Sequence, residues 1–255
     1  MAIVQAFSRS LRKCFSVETL WFEWLHSSAD ITLYRWLREP VVGQKSMLAN
    51  TLVIDLSNSE DVIWQGISKS NRYEIRRAKQ DEVDIQRPHD TKGSLDSFFQ
   101  DYEKLRRRKG LGQINLSTLS ALADRDLIKI SRISVGMSSL VGWHVYIADG
   151  QQARLLYSVA ETSQDLESAV RARAGRINRL HHWEDILYFK AQGFNIYDFG
   201  GFYEGPNDEA KLKINSFKSS FGGHREVRYN AIVANTLAGR LALAAYNLLS
   251  RVFRS

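Results

Sequence analysis

Three strand-like runs in close succession constrain this chain most: LIKISRISV (127–135), SLVGWHVYIAD (139–149) and QARLLYSVA (152–160). All three are rich in β-branched and aromatic residues, which suit a pleated, half-buried surface. Asp149-Gly150, between the second and third, is a strong hairpin signal because both residues tolerate positive φ. The three runs predict an antiparallel meander at mid-chain. A regular βαβ alternation does not fit that pattern, which argues against a doubly wound nucleotide-binding fold. The glycines form neither G-x-G-x-x-G nor a P-loop.

The flanking segments alternate between helix and strand patterns. TLVIDLS (51–57) reads as a strand, and Ser57 with Glu60 offers a capping box that opens a helix to about Gln80. EVDIQR (82–87) alternates like a strand, and helices are predicted at 94–109 and 117–125. Leu180, Trp183, Ile186 and Leu187 give a helix at 177–192 a buried face, and Gly193 stops it. NIYDF (195–199) reads as a strand, 208–219 as a helix and 224–233 as a strand. Residues 1–45 read as helical and loop material carrying Trp21, Trp24 and Trp36. The expectation is a mixed α/β (α+β) sheet domain over 51–233, with 51–115 as a reduced first half. An N-terminal helical and loop segment (1–50) and a C-terminal amphipathic helix (234–255) flank it. In that last helix Leu237, Leu241, Ala244 and Leu248 line one side, and Arg240, Arg251 and Arg254 another.

Composition narrows the setting. With 255 residues, 44% of them hydrophobic, the chain can bury one large core. The single cysteine, Cys14, excludes an intramolecular disulfide and leaves no zinc spacing, which points to a reducing cytoplasm. No apolar run reaches the roughly 20 residues that span a bilayer. The charged N-terminus does not read as a secretory signal. Phe7, Leu11 and Phe15 recur at helical spacing with Arg9, Arg12 and Lys13 on other faces. Segments 1–15 and 235–255 are therefore the two places for peripheral membrane contact, with plain surface helices as the alternative. The net charge of +7 favours an anionic partner: RNA, a nucleotide-linked substrate, a coenzyme or anionic lipid.

Four constellations can carry chemistry. Lys69, Arg72, Arg76 and Lys79 form one cationic stripe on a helix and suit phosphate, or stand as a solvated face. Arg106, Arg107, Arg108 and Lys109 close a helix at Gly110, where cations are favourable in any case. RARAGR (171–176) precedes the predicted helix at 177 and resembles a pyrophosphate-binding turn with irregular spacing. His181 and His182 are adjacent on that helix, face apart and make a poor metal pair, so no metal is expected. The fourth constellation is NIYDFGGFYEGPNDEAKLKINSFKSSFGG (195–223). Its Asp198 closes a strand, Gly200-Gly201 lets backbone approach a ligand, and Phe217-Lys218 precedes a second glycine pair. Lys218 there can stabilise an oxyanion or hold a carboxylate or phosphate. A turn and a helix end is the alternative.

Taken in order, WQGISKSNRYEIRRAK, HHWEDILYFKAQGFNIYDFGG and FKSSFGG resemble the FemABX family of tRNA-dependent aminoacyltransferases. The resemblance covers about residues 60–230. It implies a GCN5-related N-acetyltransferase-like fold in a shortened member with a reduced N-terminal part. It also implies transfer of an aminoacyl group from tRNA to an amine of a cell-envelope or secondary-metabolite precursor. No cofactor is implied beyond the donor, with acyl-CoA as the second donor. On this resemblance Lys218 stabilises the tetrahedral intermediate, no general base is obvious in the family and the substrate itself can relay the proton. If a protein base is used, Asp198 is the candidate, and otherwise it is a carboxylate that satisfies the glycine-pair backbone. Arg72, Arg76, Arg107, Arg108, Asn178, Tyr197, Gly200, Gly201 and Phe217 form the substrate-binding set, with Arg107 and Arg108 on the phosphates of the acceptor. The alternatives are an acyl-CoA-dependent N-acyltransferase acting on an amino sugar and a non-catalytic RNA- or membrane-binding module.

Overall fold

A computed structural model describes residues 15–89, 91–136, 141–160 and 168–252. The N-terminal helix expected over 1–15, and the side chains of Leu248, Arg251 and Arg254, lie outside what it describes. Among the described residues, nine strands and seven helices follow in chain order. They are β1 (Val17–Trp21), β2 (Ile31–Leu37), β3 (Ser46–Asp55), α1 (Glu60–Gly66), α2 (Lys69–Ala78), β4 (Val83–Gln86), α3 (Thr91–Lys109) and α4 (Leu116–Ala123). Then come β5 (Ile128–Val135), β6 (Val141–Ala148), β7 (Gln152–Ala160), α5 (Ser168–Ala191), β8 (Ile196–Gly201), α6 (Glu209–Ser219), β9 (His224–Ala234) and α7 (Leu237–Val252). The chain forms two compact units: Met1–Asn50 with Val227–Ser255, and Thr51–Glu226.

The smaller unit holds a correction. Residues 17–21 and 31–37 are strands, not helical and loop material. β1 pairs parallel with β2, and β2 pairs antiparallel with β9. ITLYRWL is buried on both faces, so it lacks the alternation that marks a half-exposed strand. Asp30 ties this unit together. Its carboxylate accepts from Ser16 N–H at 2.8 Å and from the Thr236 hydroxyl, and its carbonyl accepts from Asn235 N–H at 2.9 Å. These bonds seat the start of α7, where Leu237, Leu241 and Tyr246 remain exposed.

In the larger unit the strand order is β3-β8-β7-β6-β5-β4. Its pairs are antiparallel except β7 with β8. The meander is present, with the β6–β7 turn built on Asp149 and on Gly150 at φ +86°. The Asp149 carboxylate accepts from the N–H groups of Gln151 and Gln152 at 2.9 and 2.8 Å. On one face Tyr146, Ala148, Ala153 and Leu155 join Ile177, Leu180, Trp183, Ile186 and Phe189 of α5, with Ile63 and Ile75 from α1 and α2. On the other, Trp143 and Tyr157 meet Phe98 of α3 at ring distances of 6.4 and 6.0 Å.

Two helix boundaries differ from expectation. The segment after β3 is two helices, capped by Ser59 and Ser68, not one helix capped at Ser57. Ser57 instead bonds the Asp55 carboxylate through its N–H and hydroxyl, at 2.9 and 2.6 Å. Ser68 is a second N-cap, and Ile67 before it is extended at ψ 135°. α5 begins at Ser168, so RARAGR lies inside the helix rather than before it. Arginine and alanine favour helix, and one interior glycine costs only about 1 kcal/mol.

The second glycine pair has a steric reason. Gly222 and Gly223 sit at φ +81° and +80°, and a Cβ on them would stand 2.7 Å from the Gly66 carbonyl oxygen and 2.2 Å from that of Val53. Gly223→Ala is expected to lower stability by about 2 kcal/mol or more, read as a lower urea midpoint at unchanged slope.

Candidate functional site

The site begins where two parallel strands part. The β7–β8 register runs from Gln152↔Ile196 to Arg154↔Asp198 and ends there. Beyond it β7 continues against β6 as far as Gly142↔Ala160, while β8 continues against β3 to Thr51↔Gly201. A register shift opposite Val145 and Tyr146 bends β7 at the same level. A wedge therefore opens in the sheet between the ends of β7 and β8.

Gly200 stands at its apex with φ +73°, and a Cβ there would lie 2.9 Å from the Leu155 carbonyl oxygen. Only glycine fits that backbone. Asp198 is fully buried, and one carboxylate oxygen accepts from Gly200 N–H at 2.6 Å and from the Thr51 hydroxyl. The Asp198 carboxylate thus holds the first glycine of the pair in place.

Lys218 closes the last turn of α6 and reaches back over the wedge. Its Nζ donates to the Gly201 carbonyl at 2.5 Å and to that of Gly200 at 3.4 Å. Burial, with a smaller contribution from Arg154, lowers the ammonium pKa from 10.5 to about 8, against the opposing pull of Asp198. Beside it the half-buried Phe217 ring carries the Arg179 guanidinium at 5.3 Å and meets the His182 ring at 5.5 Å. Lys218, Asp198, Gly200, Gly201 and Phe217 are thus brought together.

The remaining expected residues are dispersed. Arg72 Nη1 donates to the carbonyls of Trp64 and Gln65 at 3.3 and 3.0 Å, so it caps the end of α1. Arg76 lies over the Trp64 ring at 5.4 Å and is exposed. Arg107 and Arg108 are exposed near the end of α3, the helix on the opposite face of the sheet from α5. Asn178 is half-buried on α5. Tyr197 is fully enclosed, so its expected place among substrate contacts is corrected to one in the core.

That core is polar, and sequence reasoning missed it. Asp185 of α5, fully buried, accepts from Arg87 Nη2 at 3.0 Å on one oxygen. On the other it accepts from His144 Nδ1 and Tyr146 OH, each at 2.8 Å. Tyr146 OH meets Tyr197 OH at 2.9 Å, and Tyr197 OH meets His182 Nδ1 at 2.8 Å. His181 Nε2 meets Ser131 Oγ at 2.8 Å. Burial raises the Asp185 carboxyl, but His181, His144 and Arg87 outweigh it and hold the pKa well below the usual range. Burial first, then His144, pushes His181 and His182 well below 6.5.

His144, His181 and Asp185 place ligand atoms within 4.8 Å of one another. The two imidazoles, however, stack at 3.8 Å and 9°, so their in-plane lone pairs run parallel instead of converging on one ion. A cavity of about 100 Å³ reaches Asp185, Ser131 and Tyr146 beside Arg87. Two spacings carried the signal: His181 and Asp185 are four apart on a helix, and His144 and Tyr146 two apart on a strand.

No family model matches the sequence, and no curated protein matches it. The fold is similar to that of FemX, whose crystal structure superposes with a TM-score of 0.63 at 10% identity, over 89% of this chain and 83% of that one. The C-terminal domain of a putative lysylphosphatidylglycerol synthetase from Agrobacterium fabrum gives 0.53 at 12% identity, over 86% and 72% of the two chains. L-PGS from Bacillus licheniformis gives 0.51 at 13%, over 84% and 71%. No helix among the described residues is long and apolar enough to cross a membrane.

Proposed function

We propose that this protein is an acyltransferase that forms an amide from an activated aminoacyl ester and an amine, with aminoacyl-tRNA as donor and an anionic envelope or metabolite precursor as acceptor. The observation that carries this reading is the Lys218 ammonium held over the wedge between β7 and β8. An ester carbonyl entering the wedge meets a cation in a partly desolvated setting. As the amine attacks, negative charge builds on the carbonyl oxygen, and Lys218 stabilises it there. The carbon–oxygen bond of the ester then breaks, the proton lost by the amine ends on the leaving oxygen, and the products are the amide and a tRNA with a free hydroxyl. The FemX fold and the basic net charge of +7 support the same reading.

One observation favours an aminoacyl ester over acyl-CoA. Residues 171–176 lie inside α5, so their N–H groups are committed to the helix and do not cradle a pyrophosphate. The exposed Leu237, Leu241 and Tyr246 on α7 support a membrane-surface position, as a lipid-linked acceptor would require.

The test is to incubate the protein with labelled aminoacyl-tRNA pools and, separately, labelled acyl-CoAs in a cell extract. Label is expected to pass from tRNA into an alkali-stable amide. Loss of label from acyl-CoA would establish the coenzyme-dependent alternative, and transfer from neither donor would establish a binding module.

A further inference from the structure

The buried polar chain ends at His182, whose ring packs against Phe217, the residue before Lys218, and its hydrogen-bond directions are determined. Asp185, as a carboxylate, only accepts. Tyr146 has one proton, and it goes to Asp185. In the 2.9 Å contact between the tyrosines, Tyr197 is therefore the donor. With its one proton spent, Tyr197 accepts from His182, so Nδ1 of His182 carries the hydrogen. A neutral imidazole has one N–H, which leaves Nε2 of His182 as a bare lone pair. His182 makes no other hydrogen bond among the described residues, and its ring lies against Phe217 at 5.5 Å.

We propose that His182 is the proton acceptor of the transfer reaction, with Asp185, Tyr146 and Tyr197 as positioning residues that fix its tautomer. This rests on the acyl-transfer reading above. The amine nitrogen bonds to the ester carbonyl carbon and passes a proton to Nε2 of His182. The carbon–oxygen bond breaks, and the same proton passes from His182 to the leaving oxygen. The products are an amide and a free hydroxyl, and His182 returns to its starting form. The logic is that of a base oriented by a carboxylate, here through two phenols.

Several groups face His182. They are His144 of β6 at a ring distance of 4.1 Å, His181 and Asp185 of α5, Tyr197 of β8 and Lys218 of α6, with Arg87 behind Asp185. Asp185 favours the imidazolium, while burial, the other histidines and Lys218 oppose it. His182 is therefore unprotonated at neutral pH and ready to accept, and the acid limb of the rate falls below pH 6.5.

Three measurements test the proposal on the full chain. Nitrogen-15 NMR of the unmodified protein is expected to show His182 protonated at Nδ1; protonation at Nε2 overturns the proposal without any mutation. His182→Ala is expected to lose about 100-fold or more in single-turnover rate, with roughly tenfold restored by added imidazole. Tyr197→Phe, which preserves shape, is expected to slow transfer about tenfold and to move the acid limb. A His182→Ala rate within about threefold of the unmodified protein, or a folded variant that imidazole does not restore, overturns the base and leaves the transferase reading intact. An unmodified protein that transfers from no donor overturns the transferase reading itself.

Discussion

Lys218→Ala is expected to reduce amide formation by about 100- to 1,000-fold, the usual cost of removing one oxyanion donor, with little change in donor binding. The pH dependence separates this role from a purely structural one. The ammonium has a pKa of about 8, so the rate falls as pH rises through that value. Lys218→Arg keeps a cation whose pKa exceeds about 12 and loses the alkaline limb, whatever its absolute rate. Stability moves the other way. In the unfolded chain the lysine titrates near 10.5 and binds its proton more tightly than in the fold, where the value is about 8. Folding stability therefore rises as pH increases from about 8 to 10.5, by an amount on the order of 1–3 kcal/mol, and Lys218→Met abolishes that rise. Urea unfolding at a series of pH values reads it directly. The protein carries a cation at the wedge at some cost in stability, as functional sites commonly do.

Asp185→Ala gives the largest expected loss of stability, about 3–5 kcal/mol. The carboxylate accepts from Arg87, His144 and Tyr146; its removal takes the acceptor from two buried donors, His144 and Tyr146, and the ion-pair partner from Arg87, which keeps only the Glu184 carbonyl. Asp185→Asn retains an oxygen but not the charge and is expected to lose less. Its pH signature is as informative as its magnitude. Because the folded-state pKa of Asp185 is depressed, the stability it contributes is present above about pH 4 and is lost as pH falls through the folded-state value. In Asp185→Asn that portion of acid destabilisation disappears. Guanidinium unfolding between pH 2 and 7 tests both statements. A variant as stable as the unmodified protein would show that the buried chain contributes nothing to the fold.

The parts of the molecule that follow local rules were legible in the sequence. Asp149-Gly150 announces its turn because both residues tolerate the backbone needed there, and the β6–β7 hairpin forms on it. Asp198, Gly200, Gly201 and Lys218 share a short stretch, so the strand, turn and helix between them suffice to bring them together. What escaped depends on partners far along the chain. ITLYRWL becomes a strand beside β9, some two hundred residues away, and nothing in its own pattern announces that neighbour. Tyr197 lies in a strand of alternating character, but it is enclosed by partners from β6 and α5, Tyr146 and His182, which its own segment does not name. The Asp185 chain draws on β6, α5, β8 and Arg87; the spacings of His181 with Asp185 and of His144 with Tyr146 put each pair on one face but do not name the partner across from it. Ser59 and Ser68 superseded Ser57 because serines recur there, and competition among caps is settled by the Asp55 carboxylate.

The pairing of β3 with β8 also sets a schedule for synthesis. Leu52, Val53 and Ile54 of β3 are almost completely buried in the finished protein, but their partner strand begins only at Ile196. At a translation rate of about 5–20 residues per second, β3 waits on the order of ten seconds on the ribosome before its partner emerges. A β-branched segment with both edges unsatisfied is sticky for all of that time. The nascent chain is thus a candidate client for ribosome-associated chaperones, and slowing elongation after residue 55 would lengthen its exposure.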